Sequence, residues 1–153
     1  PLSYKFNRLV HNKVFETGST GFRLGARLAA ALAKRPKAQK LFHRSENALK
    51  IVTFDCRDCG DCSLPDIAYL CPESQCVKNQ RNGPCGGTRQ GKCEIGEKDC
   101  IWARAYERLK AYGQEEEMLD GPVVIKDAGL QGSSAWLNTF SFKDHHGKRE
   151  ENP

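Results

Sequence analysis

All eight cysteines of this 153-residue chain lie between residues 56 and 100, and this feature limits its fold more than any other. Cys56, Cys59 and Cys62 form a C-x2-C-x2-C triplet, and Cys71 is followed by a proline. Three thiolates at this spacing can turn inward onto one inorganic core, and a triplet with a Cys-Pro is typical of cubane iron–sulfur ligation. The stretch therefore predicts a metal-binding module whose ligands are Cys56, Cys59, Cys62, Cys71, Cys76, Cys85, Cys93 and Cys100.

Eight thiolates make two sets of four, so the sequence leaves three metal contents open. In order of preference these are two 4Fe-4S clusters, one 4Fe-4S cluster with one zinc ion, and two zinc ions. The triplet favours iron, because zinc modules usually pair two C-x2-C knuckles. The simplest ligand partition sets Cys56, Cys59, Cys62 and Cys71 against Cys76, Cys85, Cys93 and Cys100. The alternative exchanges Cys71 with a later cysteine, as in two-cluster ferredoxins.

A disulfide framework is the competing interpretation of an even number of cysteines. Three cysteines within seven residues are too crowded to close the long loops from which disulfides gain most. Residues 1–20 also contain no continuous apolar segment of the kind that directs secretion. We therefore expect reduced thiols and a cytoplasmic protein.

Two glycines directly after Cys85 are candidate cofactor-binding residues. Without side chains, Gly86 and Gly87 can bring backbone N–H groups close to a cluster sulfide. Hydrogen bonds of this kind tune reduction potential. The alternative is a plain turn at Asn82-Gly-Pro, which fits the local sequence equally well.

Apolar spacing predicts helices on both sides of the cysteines. Residues 4–15, with Ser3 as N-cap, residues 22–35, and a third segment from Pro36 to about Lys50 precede them. Residues 101–112 form the best predicted helix, with Asp99 as N-cap and Gly113 as the stop. Cys100 then falls in the first turn, where the helix dipole stabilises a thiolate. The expected fold is a small, mainly α domain with an irregular, loop-rich metal-binding centre.

We expect three segments along the chain. Residues 1–50 form a basic helical segment, residues 51–112 the cysteine-rich module with its closing helix, and residues 113–153 a C-terminal segment. The last is expected to contain a short strand at residues 122–125, to pack back on the helices through Trp136, Leu137, Phe140 and Phe142, and to fray from Lys143. Large aliphatic residues are few, so metal should supply part of the folding energy.

Charge is distributed unevenly. Residues 1–50 carry 11 Lys/Arg against two Asp/Glu, a net +9, whereas the whole chain carries +5. This basic segment suits docking to a partner protein, but no aromatic residues interleave with the charges as a nucleic-acid stacking surface requires. No stretch approaches the 18 apolar residues of a membrane span. No catalytic arrangement can be argued from spacing, and His11, His43, His145 and His146 are interpreted as surface or packing residues.

Four segments together resemble the C-terminal domain of methylenetetrahydrofolate reductases and the small iron–sulfur partner subunit of those enzymes in acetogenic bacteria. They are Cys56-Arg-Asp-Cys-Gly-Asp-Cys62, the segment from Cys76 to Thr88 with its Asn-Gly-Pro-Cys-Gly-Gly core, Gly91-Lys-Cys-Glu94 and Cys100-Ile-Trp102. The resemblance runs from the first helix to about residue 142.

The resemblance implies an accessory part of an oxidoreductase. In that family the module accompanies a flavin-bearing TIM barrel that reduces methylenetetrahydrofolate to methyltetrahydrofolate. A barrel needs about 250 residues, so FMN or FAD would belong to a partner, fused or separate, and not to this chain. The implied function is electron transfer to or from that flavin, without catalysis by the chain itself, and with a further electron-donating subunit. The alternative is a zinc-stapled structural module whose basic helices bind a partner protein or nucleic acid.

Overall fold

The computed structural model describes residues 2–119 and 124–147, and it confirms the mainly α fold class with a loop-rich cysteine stretch. One two-stranded antiparallel hairpin, with Thr88 opposite Cys93, is the sheet within these residues. The helices are α1 (Leu2–Val10), α2 (Thr20–Ala33), α3 (Pro36–Phe54), α4 (Pro72–Gln75), α5 (Ile101–Lys110) and α6 (Ala135–Phe140), and the strands are β1 (Thr88–Arg89) and β2 (Lys92–Cys93).

The predicted first helix is divided in two. After α1 the chain forms one π-helical turn, His11–Phe15, which the Glu16 N–H closes on the His11 carbonyl at 3.1 Å. Because α1 begins at Leu2, the prediction of Ser3 as its N-cap is wrong. The second helix begins as its composition suggests, with the Ser19 hydroxyl accepting a 3.0 Å hydrogen bond from Phe22 N–H.

The third helix begins at Pro36 and runs to Phe54, past the predicted end near Lys50. Proline is well suited to the first helical turn, since its missing N–H has no partner there. Asp55 ends the helix in the left-handed conformation, with φ of 53°. The cysteine triplet follows immediately.

The chain divides into two compact units. Among the described residues, the closing-helix unit comprises residues 2–4, 63–119 and 124, and the three-helix unit comprises residues 5–62 and 125–147. The first three cysteines belong to the three-helix unit, and the other five to the closing-helix unit.

The core of the closing-helix unit is built on α5. The predicted stripe of Ile101, Ala105 and Leu109 is buried, and Trp102 is buried with it while its indole N–H donates to the Gln80 carbonyl at 3.2 Å. Cys100, and not Asp99, is the N-cap residue, so the predicted cap is wrong by one position. The Asp99 carboxylate instead pairs with Lys92 at 2.6 Å. The remaining buried members of this core are Tyr4, Ile67, Ala68, Leu70 and Cys100.

The core of the three-helix unit joins α2 to the C-terminal segment. Phe22 and Ala29 of α2 pack with Leu137 and Phe140 of α6, and the Phe15 ring stacks on Phe140 at 5.2 Å. The sequence did not predict α6 as a helix, although Ser134 caps it by accepting from Leu137 N–H at 3.1 Å. Trp136 packs against the same core, as does Phe42 of α3.

The prediction that the chain frays from Lys143 is wrong as far as Gly147. Asp144 and His145 are buried, with 0% and 3% of their surface exposed. Asp144 accepts hydrogen bonds from the Thr139 hydroxyl at 2.5 Å and from Gly147 N–H at 3.0 Å. Of the predicted strand at 122–125, residues 122 and 123 lie outside the described residues, and Val124 and Ile125 have no regular structure.

Gly25→Ala is expected to destabilise the three-helix unit. An added Cβ would lie 2.4 Å from the Phe140 ring, which is held between Phe15 and Phe22. We expect a loss of about 1–3 kcal/mol from this overpacking, offset only in part by the roughly 1 kcal/mol gain in helix propensity. Leu24→Ala, at a neighbouring residue that is 61% exposed, should change the free energy of unfolding by no more than about 0.5 kcal/mol. Denaturant titration of both variants measures the difference, and equal stabilities would contradict the packing argument.

Candidate metal centres

The end of α3 leads directly into the cysteine triplet. Cys56 N–H donates back to the Lys50 carbonyl at 3.3 Å, and Asp58 N–H donates to Cys56 Sγ at 3.4 Å. Asp58 itself has a left-handed backbone, with φ of 54°. The chain therefore turns at Cys56, the first cysteine of the triplet.

At Gly60, within the triplet, another segment approaches the loop closely. Its φ is 71°, and a Cβ at this position would lie 1.8 Å from the Leu130 carbonyl oxygen. The Gly60 carbonyl accepts from the Asn138 side-chain amide at 2.8 Å, and the Asp58 carbonyl accepts from Gly132 N–H at 3.0 Å. Only glycine fits this contact between the triplet and the C-terminal segment.

Asp61, between the second and third cysteines, is fully buried. Its carboxylate accepts from Asp127 N–H at 2.9 Å, from His145 N–H at 3.2 Å and from the His145 ring. Burial raises the pKa of Asp61, but the hydrogen bonds from His145 and Asp127 outweigh it and lower the pKa to about 2. The ionised carboxylate therefore anchors the triplet loop to two points of the C-terminal segment.

An ion pair on α3 supplies positive charge to the triplet. Glu46 and Lys50 are 2% and 4% exposed, and the Lys50 ammonium lies 3.3 Å from Glu46 Oε1 and 3.6 Å from Cys62 Sγ. Burial lowers the pKa of Lys50, but Cys62, Glu46 and Cys56 together raise it above its ordinary value. The ammonium therefore stays charged beside the sulfur.

In the closing-helix unit, the hairpin brings two cysteines to one place. Cys93 lies on β2 opposite Thr88, and the Thr88 hydroxyl donates to Cys100 Sγ at 2.8 Å. Backbone hydrogen bonds continue the pairing beyond the strands, from Cys93 N–H to the Lys98 carbonyl and from Cys100 N–H to the Gly91 carbonyl. Thr88 therefore contacts both cysteines, through its strand pairing with Cys93 and its hydroxyl on Cys100, at the start of α5.

Cys100 lies in an environment that stabilises a thiolate. Burial raises the pKa of Cys100, but the Thr88 hydroxyl and the backbone N–H groups of Ala103 and Trp102 outweigh it, so the pKa is lowered. The amides belong to the first turn of α5, where unpaired N–H groups and the positive end of the dipole meet. This agrees with the expectation from sequence.

The other three cysteines of the closing-helix unit lie in loops around α4 and before β1. Cys71 is buried immediately before α4, and Cys76 follows it, with Sγ accepting from Gln80 N–H at 3.4 Å. Cys85 is exposed, and the Lys78 ammonium lies 3.8 Å from its sulfur. The backbone of the next residue, Gly86, is left-handed, with φ of 78°.

Gly87, the second of the predicted cofactor-binding glycines, contacts Glu94. Its carbonyl accepts from Glu94 N–H at 2.8 Å, and a Cβ would lie 2.4 Å from the Glu94 carboxylate. The contact of Gly86 and Gly87 with a cluster stays a prediction, as does the partition of the eight ligands.

The sulfur environment fits a metal held by thiolates. All eight cysteines lie in the described part of the chain, and none forms a disulfide. Five sulfurs accept hydrogen bonds from an N–H, O–H or ammonium group, namely those of Cys56, Cys62, Cys76, Cys85 and Cys100. Such donors stabilise the anionic form that ligates metal.

Residues 35–128, which are more than half of the chain and contain every cysteine, match the family described as methylene-tetrahydrofolate reductase C terminal. The chain belongs to this family. The match begins at α3 and leaves α1, α2 and α6 outside, so it is narrower than the span of the resemblance noted from the sequence. Neither the curated proteins nor the solved structures gave a match to this reductase C-terminal domain.

Sequence reasoning missed the residues that hold the triplet in this chain: Glu46, Lys50, Asp61, Asp127, Asn138 and His145. A signal did exist on α3, because Phe42, Glu46 and Lys50 recur at i, i+4 and i+8. The two charged residues occupy the buried face, whereas Leu41, Leu49 and Val52 are exposed. His145, expected to be a surface or packing residue, is a buried partner of Asp61.

Across the described residues of the reductase C-terminal domain, no helix combines the length and the apolar character that a bilayer crossing requires.

Proposed function

We propose that this reductase C-terminal domain is an iron–sulfur electron-transfer module that works beside a flavin-containing catalytic component. The observation that carries the proposal is that five of the eight cysteine sulfurs accept hydrogen bonds. They lie in a loop-rich segment that contains no disulfide. When bound, 4Fe-4S clusters supply one-electron transfer. The eight cysteines would hold them.

The chain's own residues would set the electrostatics of such centres. The Lys50 ammonium and the amides at the start of α5 place positive charge beside Cys62 and Cys100. Positive charge and hydrogen bonds at sulfur favour an anionic centre and raise its reduction potential. Donors of both kinds therefore suit a redox role.

The N-terminal half offers a surface for the catalytic component. Leu24 and Leu28 of α2 are 61% and 43% exposed, and on α3 Leu41 and Val52 are 70% and 86% exposed. Residues 1–50, which contain three of these four side chains, carry a net charge of +9. Exposed apolar side chains in a basic segment suit an acidic, partly apolar face of the flavoprotein, and the complex should weaken with salt.

The first test is the metal content of the full chain purified without oxygen. We expect iron and inorganic sulfide, with broad visible absorbance that bleaches on reduction and a paramagnetic resonance signal in the reduced state. Cys59→Ser and Cys85→Ser should each remove about one site's worth of iron. Colourless protein with stoichiometric zinc would contradict the proposal and favour the zinc-stapled interaction module.

The second test adds the catalytic component. Flavin reduction from an artificial one-electron donor should be faster with the module than without it, and high salt should remove the difference if the two are separate chains. The matched control is the same module after cluster loss. Equal flavin reduction with and without the intact module, and no complex at low salt, would refute the electron-transfer role.

A further inference from the structure

Stability alone does not account for the ion pair inside α3. Glu46 and Lys50 are both almost fully buried, and each ion loses its hydration on folding. Replacing such a pair with apolar residues of similar volume is often neutral or stabilising. The contacts of the pair point to a different use.

The pair is fixed from both sides. The Ser134 hydroxyl and Trp136 N–H, the latter at 3.2 Å, donate to the Glu46 carboxylate at the start of α6. The carboxylate in turn holds the Lys50 ammonium, which reaches Cys62 Sγ at 3.6 Å. The positive end of the pair is therefore held at the sulfur, with little freedom to move.

We propose that Lys50 is a positioning residue that sets the reduction potential of the metal centre held by Cys56, Cys59 and Cys62. The inference rests on the proposed function for the identity of that centre. An added electron makes the centre more negative, so a fixed ammonium stabilises its reduced form more than its oxidised form. Because the charge is buried, salt screens it little. Glu46, the more distant charge, acts in the opposite direction and more weakly.

The test is a mediated redox titration of the full chain without oxygen, followed by visible absorbance. In Lys50→Met, at the wild-type midpoint, the ratio of reduced to oxidised centre should fall about tenfold, equivalent to about 59 mV for a one-electron couple. Glu46→Gln removes the negative charge but retains one of the two oxygens, which can still accept from Trp136 N–H, and it should raise the ratio. The Glu46→Gln, Lys50→Met double variant should lie between Lys50→Met and wild type.

Lys78→Met is the matched control. Lys78 also pairs with a carboxylate, that of Glu94, and lies 3.8 Å from Cys85 Sγ, but it is exposed to solvent. Water and salt screen an exposed charge. Lys78→Met should therefore shift the reduction potential of a centre at Cys85 less than Lys50→Met shifts that of the triplet centre, and the shift should vanish at high salt. The Lys50 shift should persist under the same conditions.

Opposite shifts in Lys50→Met and Glu46→Gln support the inference, since a structural defect would not reverse sign with charge. Shifts in the same direction, or no shift, would overturn it. If Lys50→Met does not fold, the same comparison is made between Glu46→Gln and the double variant.

If the protein holds zinc, the proposed function fails while Lys50 is still tested by competitive titration with Co²⁺ alone. Because Co²⁺ displaces the protons of the thiols and leaves an anionic thiolate site, the apparent affinity at neutral pH should be about tenfold weaker in Lys50→Met and unchanged or stronger in Glu46→Gln. Equal Co²⁺ affinity in Lys50→Met and wild type would overturn the inference.

Discussion

Chelation or oxidative loss of the metal is expected to unfold the cysteine loops of the closing-helix unit. Between residues 73 and 99 no aliphatic or aromatic side chain is buried, and Val77 and Ile95 are 50% and 46% exposed. A segment with so little apolar burial cannot offset the conformational entropy of its ordering, so we expect the binding energy of a metal to do so. Structural Zn²⁺ contributes about 10–16 kcal/mol in zinc-finger peptides, and with a contribution of this order the loss should be cooperative.

Three measurements check this expectation. The thermal midpoint should fall, amides of residues 73–99 should lose protection against hydrogen exchange, and trypsin should cut at Arg89 and Lys92. The core of α2 and α6 contains no cysteine and serves as an internal control that should keep its protection. A metal-free sample with unchanged circular dichroism and thermal midpoint would contradict the prediction.

Gly60→Ala should abolish the packing of the triplet loop. The new methyl group would lie 1.8 Å from the Leu130 carbonyl oxygen and 2.9 Å from the Ser133 hydroxyl, on a backbone already at φ of 71°. Backbone strain and the clash together should cost about 4 kcal/mol or more. We expect loss of metal from Cys56, Cys59 and Cys62 along with the fall in stability.

Gly18→Ala separates the effect of backbone strain from the effect of the clash. Gly18 has φ of 88°, but a Cβ there meets nothing within 4 Å, so this variant carries the backbone strain alone. Its cost should be about 1–2 kcal/mol, with metal content unchanged. Anaerobic denaturant titration and metal analysis compare the two variants. If Gly60→Ala is no less stable than Gly18→Ala, the contact with Leu130 is not a constraint on the loop.

Much of the fold could be predicted because it depends on local pattern. Proline favours the first helical turn for reasons contained in a few residues, so the start of α3 at Pro36 was predicted correctly. The Ser19 cap was missed, and α2 begins at Thr20, two residues before the predicted start. The mainly α class was also predicted correctly, because the apolar spacing of the helices is a local pattern. The stripe on α5 was correct because its periodicity is not interrupted by charge.

The supports of the triplet could not be predicted, because they lie far away in the sequence. Asp127 and His145 reach Asp61 across separations of 66 and 84 residues, and no periodicity encodes such pairs. Charged residues are also normally expected to be exposed to solvent, so the burial of Lys50 and Glu46 was not predicted. The wrong prediction that the chain frays from Lys143 has the same origin. This polar segment is held in place by hydrogen bonds of Asp61 and Asp144.

The Asp61 anchor also places an order on biosynthesis. The ribosome releases the cysteine triplet well before its partner His145, which follows Asp61 by 84 residues. At about 5–20 residues per second, this interval lasts about 4–17 s. During it, the thiols are present without the segment that fixes their loop, so we expect any metal at Cys56, Cys59 and Cys62 to be held stably only after His145 has been translated.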